Sequence, residues 1–145
     1  MIKRGKKGQL DISFGMIFSV VLIIAFLGFG FYAITKFIDF QNTIKIEKFL
    51  SDFQQDVSNM WKSPQGSQNL VYDLPTQITS VCFVDDEYQN LRFTSNSLIQ
   101  GKKIENIDIA SITMVENPYC IANVKGKVSF TIVKDFGEKL VRVER

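Results

Sequence analysis

The spacing of apolar and polar positions changes its rhythm along the chain. Residues 12–35 carry no charged side chain. As a helix rising about 1.5 Å per residue, Ile12 to Thr35 would cover about 36 Å, against a hydrocarbon core of about 30 Å. A soluble helix keeps one wet face, and this stretch has none. A core helix buried on every side would need a larger domain around it than the remaining chain can supply. A cleaved secretory signal has a shorter apolar region ending at a small-x-small site, whereas this run emerges into Tyr32-Ala33-Ile34-Thr35-Lys36. The pattern predicts a transmembrane helix.

From there the apolar residues thin out without losing helical spacing. Phe40, Ile44, Ile46, Phe49, Leu50, Phe53, Val57, Met60 and Trp61 recur at steps of three and four, with Lys45, Glu47, Lys48, Asp52, Gln55 and Asp56 mostly between them. One helix from about Ile12 to Lys62 follows, stopped by Ser63-Pro64-Gln65-Gly66-Ser67. Its second half is amphipathic and needs a surface to bury against.

The remainder alternates instead. Leu70-Val71-Tyr72, Gln77 to Val84, Leu91-Arg92-Phe93, Tyr119 to Ala122, Lys127 to Val133 and Leu140 to Arg145 read as short strands. Val128, Phe130 and Ile132 interleave with Ser129, Thr131 and Val133, as in a strand with one buried face. Asp135-Phe136-Gly137-Glu138 separates the last two strands as a hairpin turn, and Pro75 belongs at a strand entry or edge. Ile104 to Met114 is ambiguous between helix and strand. The fold class is therefore α+β: a long N-terminal helix, transmembrane in its first half, packed through its second half on a small antiparallel sheet. The divisions are a basic leader at 1–8, a transmembrane segment at 9–38, an amphipathic continuation at 39–62 and a β-rich domain at 63–145.

Charge gives the orientation. Lys3, Arg4, Lys6 and Lys7 precede the span without an acid among residues 1–8, so the chain's net charge of +2 becomes −2 for residues 9–145. The excess of Lys and Arg before the span places the N-terminus in the cytoplasm and the C-terminal domain outside. The pI near 8.5 belongs to that arm and does not mark a nucleic-acid surface. No histidine occurs, which removes the usual general base and the commonest metal ligand.

Little else suggests chemistry. An extracellular location predicts a disulfide between Cys82 and Cys120, contributing about 3–4 kcal/mol by loop closure; the other arrangement open to the pair is two buried thiols. Two cysteines without histidine or a CxxC do not make a zinc site. Asp85-Asp86-Glu87 lacks the spacing of a calcium loop and reads as a solvated turn, as does Glu116-Asn117-Pro118. Asp135-Phe136-Gly137 matches a kinase tripeptide without the glycine-rich and catalytic loops that give it meaning. No P-loop, nucleophile elbow or dinucleotide-binding glycine motif occurs. The expectation is a non-enzymatic protein with no catalytic residue, metal or cofactor.

The junction Lys6-Lys7-Gly8-Gln9-Leu10, followed by the apolar helix from Ile12, resembles the class III signal peptides of archaeal type IV pilins and pilin-like proteins. That resemblance implies cleavage by a prepilin peptidase between Gly8 and Gln9. It also implies a mature chain beginning with the hydrophobic helix, and packing of that helix with those of like subunits. Many such pilins carry glutamate at the fifth mature position; here Ser13 stands there, and Asp11, third in the mature chain, is the acid available to face a neighbour's N-terminal amine. The expected partners are the lipid bilayer, the peptidase and other copies or pilin-like subunits, not nucleic acid. The expected role is a pilin-like surface protein, single-pass in the cell membrane and assembled into a filament after leader cleavage. The alternative is an uncleaved signal-anchor protein acting as an accessory or interaction subunit.

Overall fold

The computed structural model describes residues 13–96 and 99–145. By internal contacts the chain divides between Phe40 and Gln41. Helix α1 (Phe14–Lys62) is a single helix that runs through this boundary. Six strands and one short helix follow: β1 (Gly66–Asp73), β2 (Ile78–Phe83), β3 (Leu91–Ser95), α2 (Ile109–Ile112), β4 (Tyr119–Ala122), β5 (Lys127–Lys134) and β6 (Arg142–Glu144). The α+β class stands, with α1 packed on antiparallel strands. The expected single sheet is resolved into two three-stranded sheets, ordered β1-β5-β6 and β3-β2-β4.

The helix ends where the stop signal lies. Pro64 cannot continue the ladder. The Lys134 ammonium, reaching from β5, donates to the Trp61 carbonyl at 2.5 Å and the Ser63 carbonyl at 2.8 Å. It thus supplies donors to C-terminal carbonyls that no longer have an intrahelical partner. Gly66 then starts β1 so close to α1 that a Cβ there would lie 2.8 Å from the Met60 sulfur.

β1 and β5 pair over eight residues without a break, from Gly66 opposite Lys134 to Asp73 opposite Lys127. The alternation read in β5 is observed: Val128, Phe130 and Ile132 are buried and Ser129 is exposed. Val124 and Lys127 close the turn that opens this strand, through bonds of 2.8 and 3.1 Å. Its two central residues, Lys125 and Gly126, both hold positive φ, 54° and 82°, the backbone of a type I′ hairpin turn. The β5–β6 hairpin also forms as expected, with Thr131 opposite Glu144. In the second sheet β2 is central, and its pairing with β3 slips at Thr79, between Ile78 and Ser80.

Both sheets and the helix share one core. From α1 it takes Phe49, Leu50, Phe53, Val57 and Met60. Phe53 is fully buried, with ring centroids 5.2 Å from Phe130 in one sheet and 6.0 Å from Phe83 in the other, both edge-on. The edge of one ring meeting the face of another is the favoured arrangement for buried aromatics. Phe40, Ile44 and Trp61, in the same helical pattern, remain exposed. Ile104 to Met114 is irregular chain ending in the short α2, held down by Ile104, Ile107 and Ile112.

Candidate functional site

Two features stand out as candidates for function: the apolar part of α1 and the cysteine pair. Ser13 sits at the start of the helix, its carbonyl and hydroxyl both accepting from the Met16 amide, at 2.8 and 3.3 Å. From Phe14 to Phe40 every residue is exposed except Gly30, which is intermediate. Phe26, Phe29 and Phe31 are each 70% exposed or more. No side of the segment is covered, and a Cβ placed on Gly28 or Gly30 would meet nothing within 4 Å. By length and composition this is a helix able to cross a membrane, compatible with a single-pass anchor.

Its few polar groups are arranged as an apolar solvent demands. The Ser19 hydroxyl donates to the Gly15 carbonyl at 2.8 Å, and the Thr35 hydroxyl to the Tyr32 carbonyl at 2.9 Å. Each donor finds its partner within the helix, so neither needs water. Lys36 lies 5.8 Å from the Tyr32 ring centroid, a cation over an aromatic face at the end of the uncharged run. Aromatic and basic residues are enriched at membrane–water boundaries because an apolar body can stay in the hydrocarbon while the polar end reaches water.

Cys82 and Cys120 face each other across β2 and β4, directly paired in register, with their sulfurs 2.06 Å apart. That is disulfide-bonding distance. Cys82 is buried, and its sulfur also lies 3.5 Å from the Thr94 hydroxyl. The bond ties the central strand of the second sheet to its four-residue edge strand.

The acidic turns have structural employment. Asp86 accepts from the Tyr88 amide at 2.8 Å, the Gln89 amide at 3.0 Å and the Arg92 guanidinium at 2.5 Å. The Tyr88 amide first and then that of Gln89 hold its carboxyl below the ordinary value against the opposing effect of burial, with a lesser contribution from the Arg92 charge. Asp135 and Gly137 form the β5–β6 turn, with Asp135 bound to Arg142 at 2.6 Å. Among the described residues no group of three or more His, Cys, Asp or Glu is placed to hold a metal ion.

Gly8, Gln9 and Asp11, the residues on which the processing and N-terminal acid expectations rest, lie outside the described residues. Two working side chains were not singled out from the sequence. Lys134 was legible, because the β5 alternation that buries residues 128, 130 and 132 also turns residue 134 inward. Asn90 was not: it is buried and bonds the Ile104 backbone from a loop with no periodic signal.

No protein-family model, curated protein or solved structure matches the chain.

Proposed function

We propose that this chain is a non-enzymatic, pilin-like surface subunit, anchored in the membrane by the first part of α1, with residues 63–145 outside the cell. The observation that carries the reading is the exposed, largely apolar surface from Phe14 to Phe40, on a helix whose continuation has a core of its own from Phe49 onward. Such a surface is stable in lipid or against equivalent helices of other subunits and in neither case against water. The basic residues before Gly8 would hold an uncut chain at the cytoplasmic face. A prepilin peptidase cutting between Gly8 and Gln9 would remove that +4 charge and free the helix for packing into a filament. The order of parts along the chain, basic junction, apolar helix and α+β head, supports this reading, as does the internal satisfaction of Ser19 and Thr35.

Intact-mass measurement or N-terminal sequencing of the protein from native membranes tests the proposal. Gln9 as first residue, free or cyclised, is the expected result. A population beginning wholly at Met1 or Ile2 overturns the pilin reading and leaves an uncleaved anchor serving as an accessory subunit.

A further inference from the structure

The head carries a lysine-rich groove at the stretch of α1 that follows the apolar segment. Lys45 is the fifth residue after Phe40 in the sequence of α1. Around it lies a groove of about 340 Å³ whose lining includes Asn42, Asp73, Thr76, Lys125 and Gly126. A second groove, of about 310 Å³, shares Lys45 and Asp73 and adds Lys48. Two loops and α1 build the first groove, and the Leu74 amide donating to the Gly126 carbonyl at 2.9 Å locks the loops together.

The charges do not cancel. Lys127 is paired with Asp73 at 2.7 Å and Lys48 with Asp52 at 2.6 Å, whereas Lys45 and Lys125 make no ion pair among the described residues. The Asp73 carboxyl is held below its ordinary value first by Lys127, and to a smaller degree by Lys45 and Lys48, so these cations act on a common space. The side chains of Asn42 and Thr76 make no hydrogen bond among the described residues, leaving an amide and a hydroxyl free to donate. Lys125 is also unusual in its position. The first place of a type I′ turn favours asparagine, aspartate or glycine, and a lysine there is not explained by backbone preference.

We propose that this groove binds the phosphate of an anionic lipid headgroup, in the same membrane that α1 crosses. The inference rests on the anchor reading. Lys45 and Lys125 supply the unneutralised charge, and Asn42 and Thr76 supply neutral donors to the phosphate oxygens. The occupant is a membrane lipid because only five residues of chain, about 18 Å even at full extension, join Phe40 at the end of the apolar segment to Lys45, which keeps Lys45 within reach of the headgroup layer.

The test uses the full-length chain in nanodiscs of phosphatidylcholine alone and in nanodiscs also containing phosphatidylglycerol. Amide hydrogen exchange is followed in the 74–77 and 123–127 loops, with residues 49–57 of α1 as a fold control. Exchange in both loops is expected to slow in the anionic discs, to recover at high salt and to recover in the Lys45→Gln/Lys125→Gln variant, with docking weakened about five-fold per lysine removed. Equal loop exchange in the two discs, or slowing that survives the double substitution, overturns the proposal. Slowing of the same size in neutral discs on adding soluble glycerol phosphate assigns the groove to free phosphate esters and overturns the lipid assignment. Failure of the chain to co-purify with either disc overturns the anchor reading, and this inference with it; co-purification without differential exchange overturns the inference alone.

Discussion

Asn90 pairs with Ile104 as one strand residue pairs with another: its side-chain amide donates to the Ile104 carbonyl at 2.9 Å and its side-chain oxygen accepts from the Ile104 amide at 2.7 Å. Ile104 is 1% exposed, so its backbone groups have no recourse to water. Asn90→Ala leaves both without partners and should lower the unfolding free energy by about 2–4 kcal/mol, read from denaturant midpoints. Asn90→Asp keeps the acceptor and loses the donor, and should lie below the wild type. A loss under half a kilocalorie, on the order expected of an ordinary surface substitution, would show that the pair is dispensable.

The cysteine pair closes a loop with a sequence separation of 38 between two strands that are already neighbours in one sheet. Cys82→Ser/Cys120→Ser should lower stability by about 3–4 kcal/mol through the freedom restored to the unfolded chain. Mass spectrometry of native protein under non-reducing conditions should find no free thiol. Two alkylatable thiols would remove the bond from the account.

Lys134 is a buried cation at the end of a helix, donating to carbonyls of Trp61 and Ser63. Its charge also lies where the helix dipole is negative. Lys134→Met preserves the aliphatic bulk and removes the donors, with an expected loss of about 2–3 kcal/mol and faster amide exchange in the last turn of α1. Unchanged exchange there would mean that Pro64 and the packing of Met60 hold the helix end without it.

Asp86 makes the connection between β2 and β3 sensitive to acid. Its carboxyl is depressed in the folded state, so its contribution is present above the unfolded aspartate value and is lost as pH falls through the lower folded value. Exchange of the Tyr88 and Gln89 amides should accelerate across that window, below the usual aspartate range. Asp86→Asn retains an oxygen to accept both amides and does not titrate, so its exchange should stay flat through the same window apart from the intrinsic chemistry. A variant that follows the wild-type curve would place the acid sensitivity elsewhere.

Phe53, on the helix, is fully buried and contacts a ring from each of the two sheets. Phe53→Ala should cost about 3–5 kcal/mol, because rings from three elements surround the space it vacates and cannot all close on it. Calorimetry should show one transition at lower temperature. Loss of only one sheet's signals by NMR would mean that the sheets are less tightly coupled through the core than the ring contacts imply.

How much of the fold was legible varied with the range of the interaction. The extent of α1 to Lys62 followed from spacing and from Pro64, both local. β4 was read with its observed ends, and β5 nearly so, because alternation reports which face of a strand is buried. The division into two sheets was not legible. β1 pairs with β5 across most of the domain's length, and β2 takes β3 and β4 as neighbours, yet no residue in these strands names its partner in the sequence. β1 was read too short for a related reason: Gly66 to Asn69 has little strand propensity and is held extended by the eight-residue pairing with β5.

The sequence by itself determined that this chain has an apolar helix too uniform for water, that the helix continues as an amphipathic one, and that short antiparallel strands follow. Those are properties of composition and period, written residue by residue. The tertiary structure alone decided that Cys82 stands opposite Cys120, that Asn90 completes the backbone of Ile104, and that Lys45 and Lys125 share a groove. Each of these joins residues far apart in sequence through strand register and loop closure, which follow from how the whole core packs and not from any local pattern.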